Sequence, residues 1–258
     1  MRKATVGFAL LFLTAPIAAQ DYRFTKDLRT GDRMEIENIN GSITVSQGSG
    51  RTATVEVTKI VKEGNGDLVK SVMEESQGMM RVCTIYLNRD PNRSTCRGDN
   101  NNSSRNGRRN EFQVEMNYVV RVPAGVTVNV ETVNGGVVLR GLDTPASVAT
   151  VNGGIDFDAA GAHRLETVNG AIRARLTRAD WNGSLEIETV NGMVDLTLPA
   201  SFAADVSGET VNGGVTSDFP ITIEGRWGPK SFRGSINGGG SRTLSIETVN
   251  GAIRLRRQ

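Results

Sequence analysis

Three aspartates recur at matching positions of a repeated sequence and are the side chains best suited to chemistry. They are Asp156, Asp158 and Asp195. Two carboxyls about 5 to 9.5 Å apart in a groove can cleave a glycosidic bond, one of them serving as the acid. Arginines stand at the same positions of neighbouring repeats, so charge pairing already accounts for these carboxylates. We expect no catalytic residues and no cofactor, with a polysaccharide lyase or hydrolase kept as the alternative.

The only histidine, His163, lies in the segment GAHR without Ser and Asp at triad spacing. A single histidine excludes HExxH and His-rich zinc sites, so no metal site of that kind is expected. The sequence therefore contains no recognisable nucleophile, general base or metal constellation around its histidine.

A short motif, most often ETVNG, dominates the chain and appears seven times. From Asn134 to Asn212 the copies follow each other after 18, 17, 22 and 21 residues. Periods near 20 residues indicate a solenoid or array. The 30 glycines and the 5% of aromatic residues fit a recurring Asn-Gly corner and a core of small aliphatic side chains. The motif asparagines are Asn40, Asn134, Asn152, Asn169, Asn191, Asn212 and Asn250.

Apolar residues alternate at period two on both sides of the motif, with a phase slip at the Asn-Gly pair. Leu185 and Ile187 precede Asn191, and Val194 and Leu196 follow it one residue out of phase. Period two indicates strands, and Asn and Gly adopt left-handed backbone angles at little cost. We predict an all-β parallel β-helix, in which the corner asparagines stack and hydrogen-bond. An antiparallel sandwich or barrel with NG hairpins is the alternative.

In-register stacking would place charged side chains of alternating sign in two columns. Opposite charges on neighbouring strands stabilise a sheet by roughly 0.2–1 kcal/mol per pair. A close approach of Asp156 to Arg173 is the test of this register. Four residues after the motif asparagine the column reads Asp156, Arg173 and Asp195, and six residues after it Arg140, Asp158 and Arg175.

A third column, three residues before the asparagine, consists almost entirely of glutamates. Stacked like charges repel, so we expect solvated carboxylates relieved in part by nearby basic side chains. Hard cations prefer carboxylate oxygens, which makes Glu166, Glu188 and Glu209 a candidate contact for divalent or polycationic partners. The whole column is Glu131, Ala149, Glu166, Glu188, Glu209 and Glu247.

The first 19 residues have the pattern of an export signal, with Arg2 and Lys3 before an apolar run that ends in small residues. Cleavage after Ala19 would leave residues 20–258, which we expect to form a single β-solenoid domain. The 30 Lys and Arg would then fall to 28, equal to the 28 Asp and Glu. A neutral mature chain gives no reason to expect nucleic-acid binding.

Residues 88–110 form a polar insertion rich in Asn and Arg, for which we predict a long disordered basic loop. In an exported protein, Cys83 and Cys96 are expected to form a disulfide that staples this insertion. The loop contains an Arg97-Gly98-Asp99 tripeptide, which chance produces easily in such a composition. One short helix is predicted over residues 67–77, as a lateral or capping element.

The segments MEIENINGSITV, YVVRVPAGVTVNVETVNGGVVLRGL (118–142) and SINGGGSRTLSIETVNGAIRLR (235–256) resemble a family of exported bacterial proteins grouped as "putative adhesin". The resemblance covers nearly all of the mature chain, apart from the inserted loop. It implies a β-solenoid in the periplasm or at the cell surface and brings no catalytic residues with it.

These observations favour a non-enzymatic envelope protein that acts as an adhesin, scaffold or ligand-binding solenoid. The expected partners are an envelope polysaccharide, an anionic surface or a cell-surface protein. A signalling or envelope-stress component that binds a membrane partner is the alternative. Exposed terminal coils could also stack into oligomers.

Overall fold

The computed structural model describes residues 20–87, 91–96, 113–179, 183–225 and 228–258. Within these ranges the chain is all-β, as predicted, with nineteen strands in one sheet that does not close on itself. A 3₁₀ turn at Gly66–Leu68 is the helical element of the described ranges. The predicted signal segment, residues 1–19, lies outside them.

The strands fall into three groups along the chain. The N-terminal group is β1 (Gln20–Asp27), β2 (Arg33–Glu37), β3 (Ile43–Gln47), β4 (Thr52–Glu63), β5 (Val69–Ser76), β6 (Met79–Tyr86) and β7 (Gln113–Val122). The central group is β8 (Thr127–Glu131), β9 (Val137–Asn152), β10 (Ile155–Asn169), β11 (Ile172–Leu176), β12 (Ser184–Asn191) and β13 (Val194–Leu198). The C-terminal group is β14 (Ala204–Asn212), β15 (Val215–Ser217), β16 (Thr222–Glu224), β17 (Lys230–Ile236), β18 (Thr243–Asn250) and β19 (Ile253–Arg257).

The helix predicted over residues 67–77 is wrong, because most of this segment is β5. It pairs antiparallel with β6 along its whole length, from Val69 opposite Tyr86 to Ser76 opposite Met79. The apolar residues of LVKSVM fit the period of a helix and also that of a strand. Pairing of all eight residues of β5 with β6 favours the strand. Val69 and Ser71 face inwards while Lys70 is exposed, which is the alternation of a strand.

Each repeat contributes one strand before its Asn-Gly pair and one after it, and both pair in parallel with the equivalent strands of the adjacent repeat. Between β10 and β12, Asn169 is the register partner of Asn191. Between β11 and β13, Ile172 is the partner of Val194. The same parallel register joins β2 to β8, β8 to β9, and β3 to β9.

The order of the repeats in space differs from their order along the chain. Strand β18 pairs with β12 on one side and with β14 on the other, and β19 lies in the same way between β13 and β15. The C-terminal repeat therefore enters the sheet between two earlier repeats. Antiparallel strands finish both ends, with β14–β17 at one and β4–β7 at the other.

Columns of aliphatic side chains fill the interior. One column contains Ile155, Ile172, Val194 and Ile253, each of them fully buried or nearly so. Full burial of such a side chain stabilises the fold by about 1.5–3 kcal/mol. The stacking of like upon like explains why the sequence repeats, because every layer offers the next the same shape.

Candidate ligand-binding groove

The threonine of each motif faces inwards and fastens its repeat to the next one. The hydroxyl of Thr189 donates to the carbonyl oxygen of Gly170 at 3.1 Å, and that of Thr248 donates to Gly192 at 3.0 Å. Equivalent bonds form in the other inner repeats. A β-branched residue with a hydroxyl is therefore required at this position, both for the strand and for the carbonyl beside it.

The motif glycines are needed for close stacking of the backbone. A Cβ on Gly192 would overlap the carbonyl oxygen of Gly170, and one on Gly251 would overlap that of Gly192. The expected left-handed corner is wrong, because among the described motif Asn-Gly pairs only Gly41 has a positive φ, of 120°. The need for glycine comes from the neighbouring strand, a contact that local propensity cannot reveal.

The seven motif asparagines form one continuous hydrogen-bonded ladder across the strands. Each side-chain amide donates to the carbonyl oxygen of the next, and Asn40 ends the series by donating to the Tyr86 hydroxyl at 3.0 Å. The ladder holds the corners in register along the whole stack. Its order is Asn212, Asn250, Asn191, Asn169, Asn152, Asn134 and Asn40, with distances of 2.8–2.9 Å.

The glutamate column lies on the outer face beside this ladder. Glu188 is the register partner of Glu166 on one side and of Glu247 on the other, and Glu209 follows Glu247. The sequence placed Glu209 directly after Glu188, which is wrong because the C-terminal repeat separates them. Four glutamates thus stand on adjacent strands, about 4.7–4.9 Å apart in a parallel sheet.

The charges of this column are only partly balanced. Arg164 forms an ion pair with Glu166. Within the described ranges, no salt bridge joins Glu188, Glu247 or Glu209 to a basic side chain. Desolvation raises the pKa of Glu188 to about 7, and the neighbouring carboxyls of Glu166 and Glu186 contribute to the same shift. The Arg164 and Glu188 hydrogen bonds outweigh desolvation at Glu166 and lower its pKa. The pKa values of these two neighbouring carboxyls are thus shifted in opposite directions.

A ridge of exposed aliphatic side chains runs parallel to the glutamates. It is formed by the residue just before each motif asparagine, and each member exposes 37–39% of its surface. Glutamate and valine are two residues apart in ETVNG and so share the outer face of a strand. The sequence contains this signal as the Val or Ile before each motif asparagine, but the prediction was based on the alternation of the buried face. The ridge is Ile39, Val133, Val151, Val168, Val190, Val249 and Val211.

Glutamates and valines together line an open groove that crosses the strands. The groove encloses about 480 Å³ and extends from Glu131 to Glu209. Five of the motif threonines, all except Thr210, contribute to its lining between the glutamates and the valines. One of them, Thr132, is 5% exposed, and its hydroxyl has no hydrogen-bond partner in the described part of the chain. In the other repeats this hydroxyl donates to the motif glycine of the adjacent repeat, which for Thr132 would be Gly41. The Gly41 carbonyl instead accepts a hydrogen bond from the Asn38 side chain at 3.1 Å.

The predicted charge columns occupy a different stretch of the outer face, after the corner. Asp156 and Arg173 are register partners, and Arg173 also faces Asp195. The Arg175 guanidinium donates to Asp158 at 3.2 Å, and Arg256 donates to Asp195 at 2.9 Å. These aspartates have arginine partners, as the sequence argument against a catalytic role expected.

The sixth member of the charge columns, Arg140, departs from the predicted alignment. The register between β9 and β10 shifts after Leu139, so Arg140 does not stand opposite Asp158. Its guanidinium instead donates to Asp156 at 2.9 Å. This hydrogen bond lowers the pKa of the Asp156 carboxyl below its ordinary value. The bulge at Gly141, with a φ of 66°, could not be inferred from a repeat that is otherwise regular.

The disulfide between Cys83 and Cys96 is confirmed, with 5.6 Å between the two Cα atoms. The amide of Cys96 donates to Glu74 at 2.7 Å, which fastens residues 91–96 to β5. Of the predicted loop, residues 88–90 and 97–110 lie outside the described residues, and with them the Arg97-Gly98-Asp99 tripeptide. His163 is exposed.

Within the described ranges, no group of three or more His, Cys, Asp or Glu is placed to hold a metal ion. In the same ranges no helix has the length and apolar character to cross a membrane.

No protein-family model matches the chain, and no curated protein matches it. Among solved structures it is similar to a putative cell adhesion protein from Clostridium sporogenes, at 11% identity and a TM-score of 0.49, over 93% of this chain and 100% of that one. A putative adhesin from Bacteroides fragilis gives 10% identity and a TM-score of 0.38, covering 93% and 97%. A putative lipid binding protein from Parabacteroides distasonis gives 10% and 0.30, covering 90% and 96%.

Proposed function

We propose that this chain is an exported, non-enzymatic β-solenoid that binds a ligand at the bacterial cell envelope in the manner of an adhesin. The mature protein would be a single domain, residues 20–258, released by cleavage after Ala19. The parallel in-register pairing of successive repeats supports the solenoid, because each repeat contacts mainly its spatial neighbours.

One observation carries the proposal: the groove between the glutamate column and the aliphatic ridge. The aligned valines, each nearly two-fifths exposed, form a continuous apolar strip on the surface, and exposed apolar patches of this kind mark interaction sites. The inner face and the corner account for the Thr, Asn and Gly of the motif, whereas its Glu and Val lie on the outer face and line the groove. A ligand that crosses several strands would contact Glu and Val in every repeat.

The test is a binding screen of residues 20–258 against a glycan array and envelope extracts, with a matched pair of variants. Val190→Lys combined with Val249→Lys places two long side chains in the groove. Val119→Lys is the control, because Val119 is 44% exposed on β7 and does not line the groove. We expect the double variant to lose captured ligands and the control to retain them.

Equal loss in both variants would contradict a role for the groove. So would binding that survives the double variant and disappears when residues 97–110 are deleted. Circular dichroism and thermal melting of each variant separate loss of the site from loss of the fold.

A further inference from the structure

We propose that the groove binds linear aliphatic polyamines, laid along the stack with their ammonium groups on successive glutamates and their methylenes against the valines. This inference rests on the proposed ligand-binding function and names its ligand class. Glu166, Glu188, Glu247 and Glu209 are the carboxylates concerned.

The spacing of the carboxylates selects a repeating cation. Adjacent parallel strands lie about 4.7–4.9 Å apart, so four consecutive glutamates span about 14–15 Å. An extended chain with three methylenes between nitrogens places its charges about 5 Å apart, from bond lengths of about 1.5 Å. A tetraamine of this kind can therefore place one ammonium group at each of the four glutamates.

The composition of the groove selects a ligand that is also apolar between its charges. Val168, Val190 and Val249 line the groove beside the glutamates, and each is 39% exposed. Covering such side chains with methylenes gives about 25 cal/mol for each Å² of apolar surface removed from water. A small hydrated cation would satisfy the carboxylates but would leave this ridge in water.

Charge balance favours binding in the same place. Glu188, Glu247 and Glu209 lie on adjacent strands, and within the described ranges none of them forms a salt bridge with a basic side chain. At Glu188 itself, desolvation and the neighbouring carboxyls of Glu166 and Glu186 raise the pKa. A bound polycation replaces mutual repulsion with attraction and lets Glu188 ionise.

Isothermal titration calorimetry on residues 20–258 at pH 8 and low salt tests the proposal with two amines of similar length. The first is norspermine, with four nitrogens separated by three methylenes. The second is 1,12-diaminododecane, which has charges only at its ends. We expect norspermine to bind about tenfold more tightly, because two further ammonium groups meet carboxylates. Its affinity should fall as NaCl rises, since exposed charges are screened by salt.

Variants locate the site. Glu188→Gln combined with Glu247→Gln should weaken norspermine binding by about tenfold, and Glu224→Gln should leave it unchanged, because Glu224 is exposed on β16 outside the groove. Val190→Thr with Val249→Thr keeps strand-forming side chains and should weaken binding through the lost methylene contacts.

Three results would overturn the proposal. They are the absence of norspermine binding in the calorimeter, equal affinities for norspermine and 1,12-diaminododecane, and a loss of norspermine affinity in Glu224→Gln as large as that in the double glutamine variant. Preference for an oligolysine peptide or a deacetylated chitin oligomer over norspermine would also overturn it. A chain that fails with norspermine but still captures an envelope glycan in the groove retains its proposed function and loses only this ligand class. Failure of both assays removes the function as well.

Discussion

The side chain of Asn250 donates a 2.8 Å hydrogen bond to that of Asn191, although 59 residues separate them in sequence. The bond exists because β18 lies between β12 and β14, so the last repeat of the chain sits inside the stack. Strands β12 and β13 gain their second neighbours only when the C-terminal residues have bound. The C-terminal repeat therefore joins two earlier repeats in the sheet and also contributes Glu247 and Val249 to the groove.

Position within the asparagine ladder predicts the cost of removing a member. Asn250 donates to Asn191 and accepts from Asn212, whereas Asn212 contributes one bond to the ladder. A hydrogen bond contributes about 0.5–1.5 kcal/mol net, so Asn250→Ala should cost about 1–2 kcal/mol and Asn212→Ala about half of that. Urea unfolding at constant m-value measures both. An equal or larger loss in Asn212→Ala would show that the ladder does not act as described.

Two glycines of the same motif provide a matched test of the stacking contact. A Cβ on Gly192 overlaps the carbonyl oxygen of Gly170, while Gly214 has nothing within 4 Å and neither glycine has a positive φ. Gly192→Ala should cost about 3 kcal/mol or more, because two backbones must separate. Gly214→Ala should change stability by less than about 0.5 kcal/mol. Thermal and urea unfolding of the pair decides; similar stabilities would contradict the requirement for close approach.

The repeat allowed much of this fold to be predicted from the sequence. Period-two alternation around the motif predicts the strands and their parallel register, since Asn169 and Asn191 are aligned by identical neighbours. Residues 67–77 contain no copy of the motif, so the repeat could not guide the prediction there. Their strand conformation depends on pairing with β6. The position of Glu247 between Glu188 and Glu209 was inaccessible for another reason, because near-identical repeats do not encode which copy is adjacent to which.

Of the candidate site, the repeat allowed the glutamate column to be predicted but not the aliphatic ridge. The glutamates were singled out as stacked like charges, which follow from register alone. The valines were not singled out, because a single exposed valine is ordinary and only their alignment makes a ridge. The unpartnered Thr132 hydroxyl could not be predicted, because the Gly41 carbonyl accepts a hydrogen bond from Asn38, which stands where the other repeats have threonine.

Thr132 and Thr189 occupy the same motif position and should respond differently to the same substitution. Thr189→Val removes the donor to the Gly170 carbonyl and should cost about 1 kcal/mol. Thr132→Val removes a buried hydroxyl that has no partner in the described part of the chain, so it should be neutral or stabilising by up to about 1 kcal/mol. Urea unfolding of both variants compares them under one set of conditions. A destabilised Thr132→Val would mean that this hydroxyl has a partner.

The crowded carboxyls make stability depend on pH in a direction set by Glu188. Its pKa is about 7 in the folded chain against an ordinary 4.5, because of desolvation and the carboxyls of Glu166 and Glu186. The folded state therefore holds this proton more tightly than the unfolded state. The associated stability is fully present below pH 4.5 and is lost as pH rises through about 7. Arg164 on β10 and Glu247 on β18 are the other charged groups beside it.

Wild type should accordingly be less stable at pH 8 than at pH 5, with Glu188 contributing about 1–2 kcal/mol of the difference after solvent screening. Glu188→Gln cannot ionise, so its unfolding free energy should change less between the two pH values and should exceed that of wild type at pH 8. Glu224→Gln, outside the groove, should follow wild type at both. Urea unfolding at pH 5 and pH 8 measures the three proteins. If Glu188→Gln retained the full pH dependence, Glu188 would not be the group responsible for it.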